Sequence, residues 1–114
     1  MAEGYDPNNI FGEISPIFSL SSTGAQHFSI AEQKVYRLGN IVYLYLVLQK
    51  ISSITPSTEY TIGTCSIKPK GNVVVPQFSG YNSMIIQSNT GNVIFVDSTD
   101  TRTWYTYSCS FVAQ

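Results

Sequence analysis

From Gln33 onward the apolar residues recur with a period of two, and no stretch shows the 3.6-residue period of an amphipathic helix. Residues 35–38 (Val-Tyr-Arg-Leu) and 41–50 form two such runs, punctuated by Gly39-Asn40, and the combination predicts a hairpin. Residues 60–67 and 73–75 predict two further strands, bounded by breakers at Pro56-Ser57 and at Pro69-Lys70-Gly71-Asn72. A second hairpin is predicted from residues 83–87 and 92–96 around Ser88-Asn89-Thr90-Gly91. The last strand, residues 104–112, alternates Tyr105, Tyr107, Cys109 and Phe111 with Thr106, Ser108 and Ser110. That alternation predicts one core face and one solvated face. Earlier, residues 14–20 predict a short strand interrupted by Pro16, and Ser21-Ser22-Thr23-Gly24 a turn. The sum is an all-β chain of eight or nine strands, an antiparallel β-sandwich of jelly-roll character.

One strand departs from simple alternation. In residues 41–48 the odd positions hold Ile41, Tyr43, Tyr45 and Val47, and the even ones Val42, Leu44, Leu46 and Leu48. Both faces are apolar, so the face turned away from the core needs cover from a loop or a second subunit.

Length and composition narrow the rest. A chain of 114 residues suits one core. Residues 1–13, with Gly4, Pro7, Asn8, Asn9 and Gly12, read as a leader or linker, leaving residues 14–114 as the folded domain. Met1-Ala2-Glu3-Gly4 lacks the basic start and apolar core of a signal peptide, and no run approaches the roughly 18 apolar residues of a membrane helix. Only 11% of residues are charged and the formal net charge is −1, with the six basic residues scattered. A nucleic-acid surface needs clustered Lys and Arg, so that class of partner is not expected.

Candidate chemistry is sparse. His27 has no second His or Cys near it in sequence, and no metal or other cofactor is expected. Cys65 and Cys109 lack a CxxC spacing and read as buried, reduced thiols. Asp97 and Asp100 lie in a Ser- and Thr-rich loop where carboxylates commonly bond their own backbone. The glycines stand singly and form no phosphate cradle. An enzyme is therefore not expected. The surface is rich in hydroxyls and amides and poor in charge, which suits a neutral or weakly charged glycan. The candidate ligand contacts are Trp104 with Asp97, Asp100 and Arg102, then Tyr81 and Asn82. Trp104 would offer an aromatic face to the apolar side of a sugar ring.

The run Val35-Tyr36-Arg37-Leu38-Gly39-Asn40-Ile41-Val42-Tyr43-Leu44 resembles the "YRKIGNVV" opening of C-terminal receptor-binding head domains of bacteriophage tail fibres and baseplates. Thr61-Ile62-Gly63-Thr64 resembles their "TIGTLP" segment, Asn89 to Ile94 their "NGTITI" hairpin, and residues 104–111 their closing aromatic strand. The likeness covers about residues 33–113. Cys65 stands where a Leu is usual, and Lys68-Pro69-Lys70-Gly71 replaces a Gly-Tyr-Arg-Pro turn, so loop contacts do not carry over. The resemblance implies a homotrimeric tip on a virion that adheres to a host cell-surface saccharide or wall polymer, with no catalytic residue. Tyr43 and Tyr45 would then meet neighbouring subunits. The competing expectations are a carbohydrate-binding accessory module of a secreted bacterial protein and a purely structural virion domain.

Overall fold

A computed structural model describes residues 12–76 and 82–114. Nine strands and one short helix follow in order: β1 (Gly12–Ile14), β2 (Phe18–Leu20), α1 (Ser22–His27), β3 (Phe28–Leu38), β4 (Ile41–Lys50), β5 (Tyr60–Cys65), β6 (Val73–Pro76), β7 (Asn82–Ile86), β8 (Asn92–Asp97) and β9 (Trp104–Val112). They form two antiparallel sheets, a four-stranded one of order β1-β3-β4-β9 and a five-stranded one of order β2-β5-β8-β7-β6. The expected all-β sandwich is the fold.

The two sheets enclose one core, because each strand turns its apolar parity inward. On β4, Val42, Leu44, Leu46 and Leu48 are all buried, and Val93 and Phe95 on β8, Met84 and Ile86 on β7 and Tyr105 and Tyr107 on β9 meet them. Each large side chain so buried contributes about 1.5–3 kcal/mol. At one end Phe28, Phe95 and Tyr105 pack edge to face, with ring centroids 4.8, 5.9 and 5.0 Å apart. This geometry sets the positive ring edge against the negative face.

The hairpin predicted at Gly39-Asn40 joins β3 and β4, and Gly39 takes φ 57°, the positive value a two-residue II′-type loop requires at its first position. Strands β4 and β9 occupy the expected bounds. Three expectations are corrected at the N-terminal side. Gly12 and Glu13, assigned to a leader, belong to β1, where they pair with Arg37 and Tyr36. Residues 14–20 do not make one interrupted strand: β1 lies in one sheet and β2 in the other, and the chain changes sheets at Ser15-Pro16-Ile17. Pro lacks the ladder N–H, so it belongs at such a break. The expected turn at 21–24 is the start of a helix, capped by Ser21 Oγ, which accepts from Gly24 N at 3.0 Å. Gly24 allows this helix to lie directly on β5, since a Cβ there would sit 1.9 Å from the Ile62 carbonyl oxygen.

The seam between the sheets is held by a side chain acting as backbone. Gln33 Oε1 accepts from Ile17 N and Phe18 N at 3.1 and 2.9 Å, and its Nε2 donates to Phe18 O at 3.1 Å. The amide thereby satisfies groups that the sheet switch leaves without a ladder partner.

Candidate functional site

Two places on this scaffold gather the candidate residues. The first is the end of the sandwich where β8 passes to β9. Asp97, the last residue of β8, is 1% exposed. Tyr105 Oη donates to its Oδ2 at 2.6 Å, and Thr99 N donates to its Oδ1 at 3.0 Å. Thr99 Oγ1 and Arg102 Nη1 approach the same oxygen at 3.3 and 3.5 Å. Its backbone carbonyl accepts from Ser57 N at 2.6 Å. Alternation along β8 points Asp97 inward, so the protein must supply its partners. Burial and the Asp97 carboxylate together hold the Tyr105 phenol well above the usual tyrosine range.

Asp100 pairs with Lys50 and also accepts from Ile54 N at 3.3 Å. The Lys50 hydrogen bond, with the Ile54 amide, lowers its pKa from the ordinary carboxylate value of 3.8. It ties the β8–β9 loop to the segment that follows β4. That segment is held elsewhere by Ile51 N on His27 O at 2.7 Å and by Thr55 N donating to Tyr60 Oη at 2.7 Å. His27 is part of the same clasp, with Nδ1 2.9 Å from Ser53 O. A carbonyl only accepts, so the proton sits on Nδ1.

Asn82, at the start of β7, is 5% exposed and accepts from Tyr107 Oη at 3.1 Å. Asp97 and Asn82, expected as ligand contacts, are thus withdrawn from the surface, because each occupies an inward position on its strand. Asp100 and Arg102 stand partly at the surface, committed to Lys50 and to Asp97 and Thr99. Trp104 lies on the outer side of β9, opposite Gln49, and is 53% exposed. Tyr81 falls outside the described residues. Within the loop, the Asp97 carboxylate serves the interior, while Asp100 stands partly at the surface and the Trp104 indole faces out.

The second place is the outer face of the four-stranded sheet. The registers of β3, β4 and β9 lay the odd residues of β4 into rows across it. Leu38, Ile41 and Val112 form the end row, Tyr36, Tyr43 and Ser110 the next, and Lys34, Tyr45 and Ser108 the third. Tyr36, Tyr43, Tyr45, Ser108 and Ser110 line a shallow cavity of about 360 Å³, and no charged side chain is among its lining residues. Leu38, Tyr43 and Val112 are 37%, 39% and 40% exposed, so the strip is apolar along most of its length. The second apolar face of β4 is real and lies here.

Compared with protein-family models, with curated proteins and with solved structures, the chain matches none. Function therefore rests on the geometry of these two places. The sequence singles out Tyr43 and Tyr45 but misses Tyr36, Ser108 and Ser110 as their neighbours. Tyr36 was within reach, since the Gly39-Asn40 loop fixes the β3–β4 register. The two serines were not, because only the non-local pairing of β9 with β4 brings them there.

Of the two thiols, Cys109 borders the cavity on the sheet face and Cys65 is not among its lining residues. Cys65 is buried and Cys109 partly buried, and both are free. Desolvation raises Cys65 to about 12, helped by repulsion from Cys109, and raises Cys109 to about 11. Reactive thiolates need the opposite environment.

Proposed function

We propose that this domain is an adhesion module, the tip of a phage tail fibre or baseplate, which holds a host cell-surface saccharide without transforming it. The cavity framed by Tyr36, Tyr43, Tyr45, Ser108 and Ser110 carries this reading. Aromatic rings beside hydroxyls in an open cavity without charged lining residues match a sugar, whose ring offers an apolar face and a rim of hydroxyls. So open a site binds weakly, because little surface is desolvated relative to the ordering cost, and firm attachment requires several copies acting together. Assembly into a trimer, implied by the resemblance, would supply that multiplicity. Trp104, exposed on the same outer side of the sheet, extends the aromatic surface.

The continuity of Leu38, Ile41, Tyr43 and Val112 favours a second use of the face, as the contact between subunits. A glycan and cell-wall binding screen on the assembled protein separates the two. Tyr45→Ala should abolish binding and leave the assembly mass unchanged if the cleft holds sugar. Tyr43→Lys should lower the mass if the face is the contact, since an unpaired charge in a dry interface is costly. No binding by the unaltered protein to any surface polymer or host cell points instead to a structural virion domain.

A further inference from the structure

The edges of the two sheets are guarded unequally. Strands β1 and β2 are three residues each, and β6 is four and ends in Pro76. The part of β3 beyond β1 carries a bulge between Ile30 and Glu32, the charges of Glu32 and Lys34, and the Gln33 amide turned toward β2. Short length, proline, bulges and charge are the usual means of preventing strand edges from pairing. Strand β9 has none of them. It runs nine residues, Trp-Tyr-Thr-Tyr-Ser-Cys-Ser-Phe-Val, with no charge, no proline and no break in its register with β4.

The hydrogen bonds at its ends show which of its backbone groups are free. Lys50 N donates to Thr103 O, and Ala113 N donates to Asn40 O, so the odd residues from 103 to 113 bond to β4. An antiparallel ladder alternates strictly, and the even residues turn their N–H and C=O outward. At one end this outward pattern is used, because Lys70 N donates to Val112 O. At Thr106, Ser108 and Ser110 no described residue takes it up. Beside this edge, Ser110, Phe111 and Val112 border an open groove of about 650 Å³ with residues 69–74.

We infer that β9 pairs antiparallel with β9 of a second copy of this chain, joining two four-stranded sheets into one of eight. Another extended backbone matches three alternating outward N–H and C=O pairs at strand spacing and replaces the water that otherwise solvates them. The edge is also fit to meet its own image. A two-fold axis near Ser108 sets Ser108 against Ser108 and Thr106 against Ser110, hydroxyl against hydroxyl, and no charge meets itself. The contact uses the backbone edge of β9 rather than the tyrosine rings, although Ser108 and Ser110 also border the cavity, and in a trimeric assembly it joins trimers in twos and keeps the number of chains even.

Sedimentation of the full chain, with amide hydrogen exchange, tests the pairing. The wild-type mass should be an even multiple of the 12.6 kDa chain. The amides of Thr106, Ser108 and Ser110 should exchange as slowly as those of Tyr105, Tyr107 and Cys109. Ser108→Lys places a charge on its own image, and Ser108→Pro removes an outward N–H that the β4 ladder does not use. Each should halve the assembly mass and speed exchange at Thr106 and Ser110 at least about tenfold, with the β spectrum retained. An odd-numbered wild-type assembly, a monomer included, overturns the pairing. So does a mass unmoved by Ser108→Lys in a folded variant, or wild-type exchange that alternates slow and fast along β9.

Discussion

The β8–β9 corner and the outer face of the four-stranded sheet hold similar residue types in opposite orientations. At the corner, Asp97, Tyr105, Asn82 and Tyr107 point inward and answer one another, so that no buried side-chain polar atom is left without a partner among the described residues. On the sheet face, Tyr36, Tyr43, Tyr45, Ser108 and Ser110 point outward around an open cavity. A tyrosine is a structural strut in one place and an outward-facing cavity wall in the other. What separates the two is strand parity: Tyr105 and Tyr107 share the inward parity of β9, while Ser108 and Ser110 have the outward one. Polar groups that the fold must satisfy contribute to stability, and those it leaves at the surface are available for recognition.

Substitution at the corner should have the largest effect. Asp97→Ala removes the partner of Tyr105 and Arg102 in a buried setting and should cost about 3 kcal/mol, read as a lower urea midpoint at unchanged slope. An unchanged midpoint would erase the contrast and return Asp97 to the surface-ligand role.

Alkaline pH should produce a smaller, graded loss. Cys65 rises in the fold from 9.0 to about 12 and Cys109 from 9.0 to about 11, and Tyr105 and Tyr107 rise above 10.0. Each folded-state pKa exceeds its unfolded value, so the folded state holds these protons more tightly. The contribution is whole below pH 9 and is lost as pH climbs through the folded values. Urea midpoints measured from pH 8 upward should fall, and Cys65→Ala should flatten the decline. Thiol reagents should label neither cysteine rapidly without denaturant.

Tyr107→Phe deletes one buried hydrogen bond, to Asn82, and should cost about 1 kcal/mol by the same urea measurement. Smallest of all, Trp104→Ala and Tyr45→Ala should shift stability by no more than about 0.5–1 kcal/mol, because the indole is half exposed and the phenol lies on the outer face. Their effect belongs in the glycan screen. A large stability loss at either would show that the sheet face, like the corner, serves the fold.

The period-two pattern determined by itself that this chain is all β, and it set β4 and β9 to the residue, because strand periodicity and the breakers flanking it are local. It also showed that β4 has two apolar faces and that Cys109 shares the inward parity of Tyr105 and Tyr107. The α1 helix was hidden, since a six-residue helix carries too little pattern and depends on Gly24 lying against Ile62. The split of residues 14–20 between two sheets was hidden too, because Gln33, some fifteen residues further on, supplies the bonds that make it tolerable. Residue type alone marked Asp97, Asn82 and Trp104 as equal candidates. Only the tertiary structure sent the first two inward and left the third outside, and only the pairing of β4 with β9 brought Ser108 and Ser110 beside Tyr43 and Tyr45. Which strands become neighbours depends on contacts far apart in the chain, and no local sequence pattern encodes them.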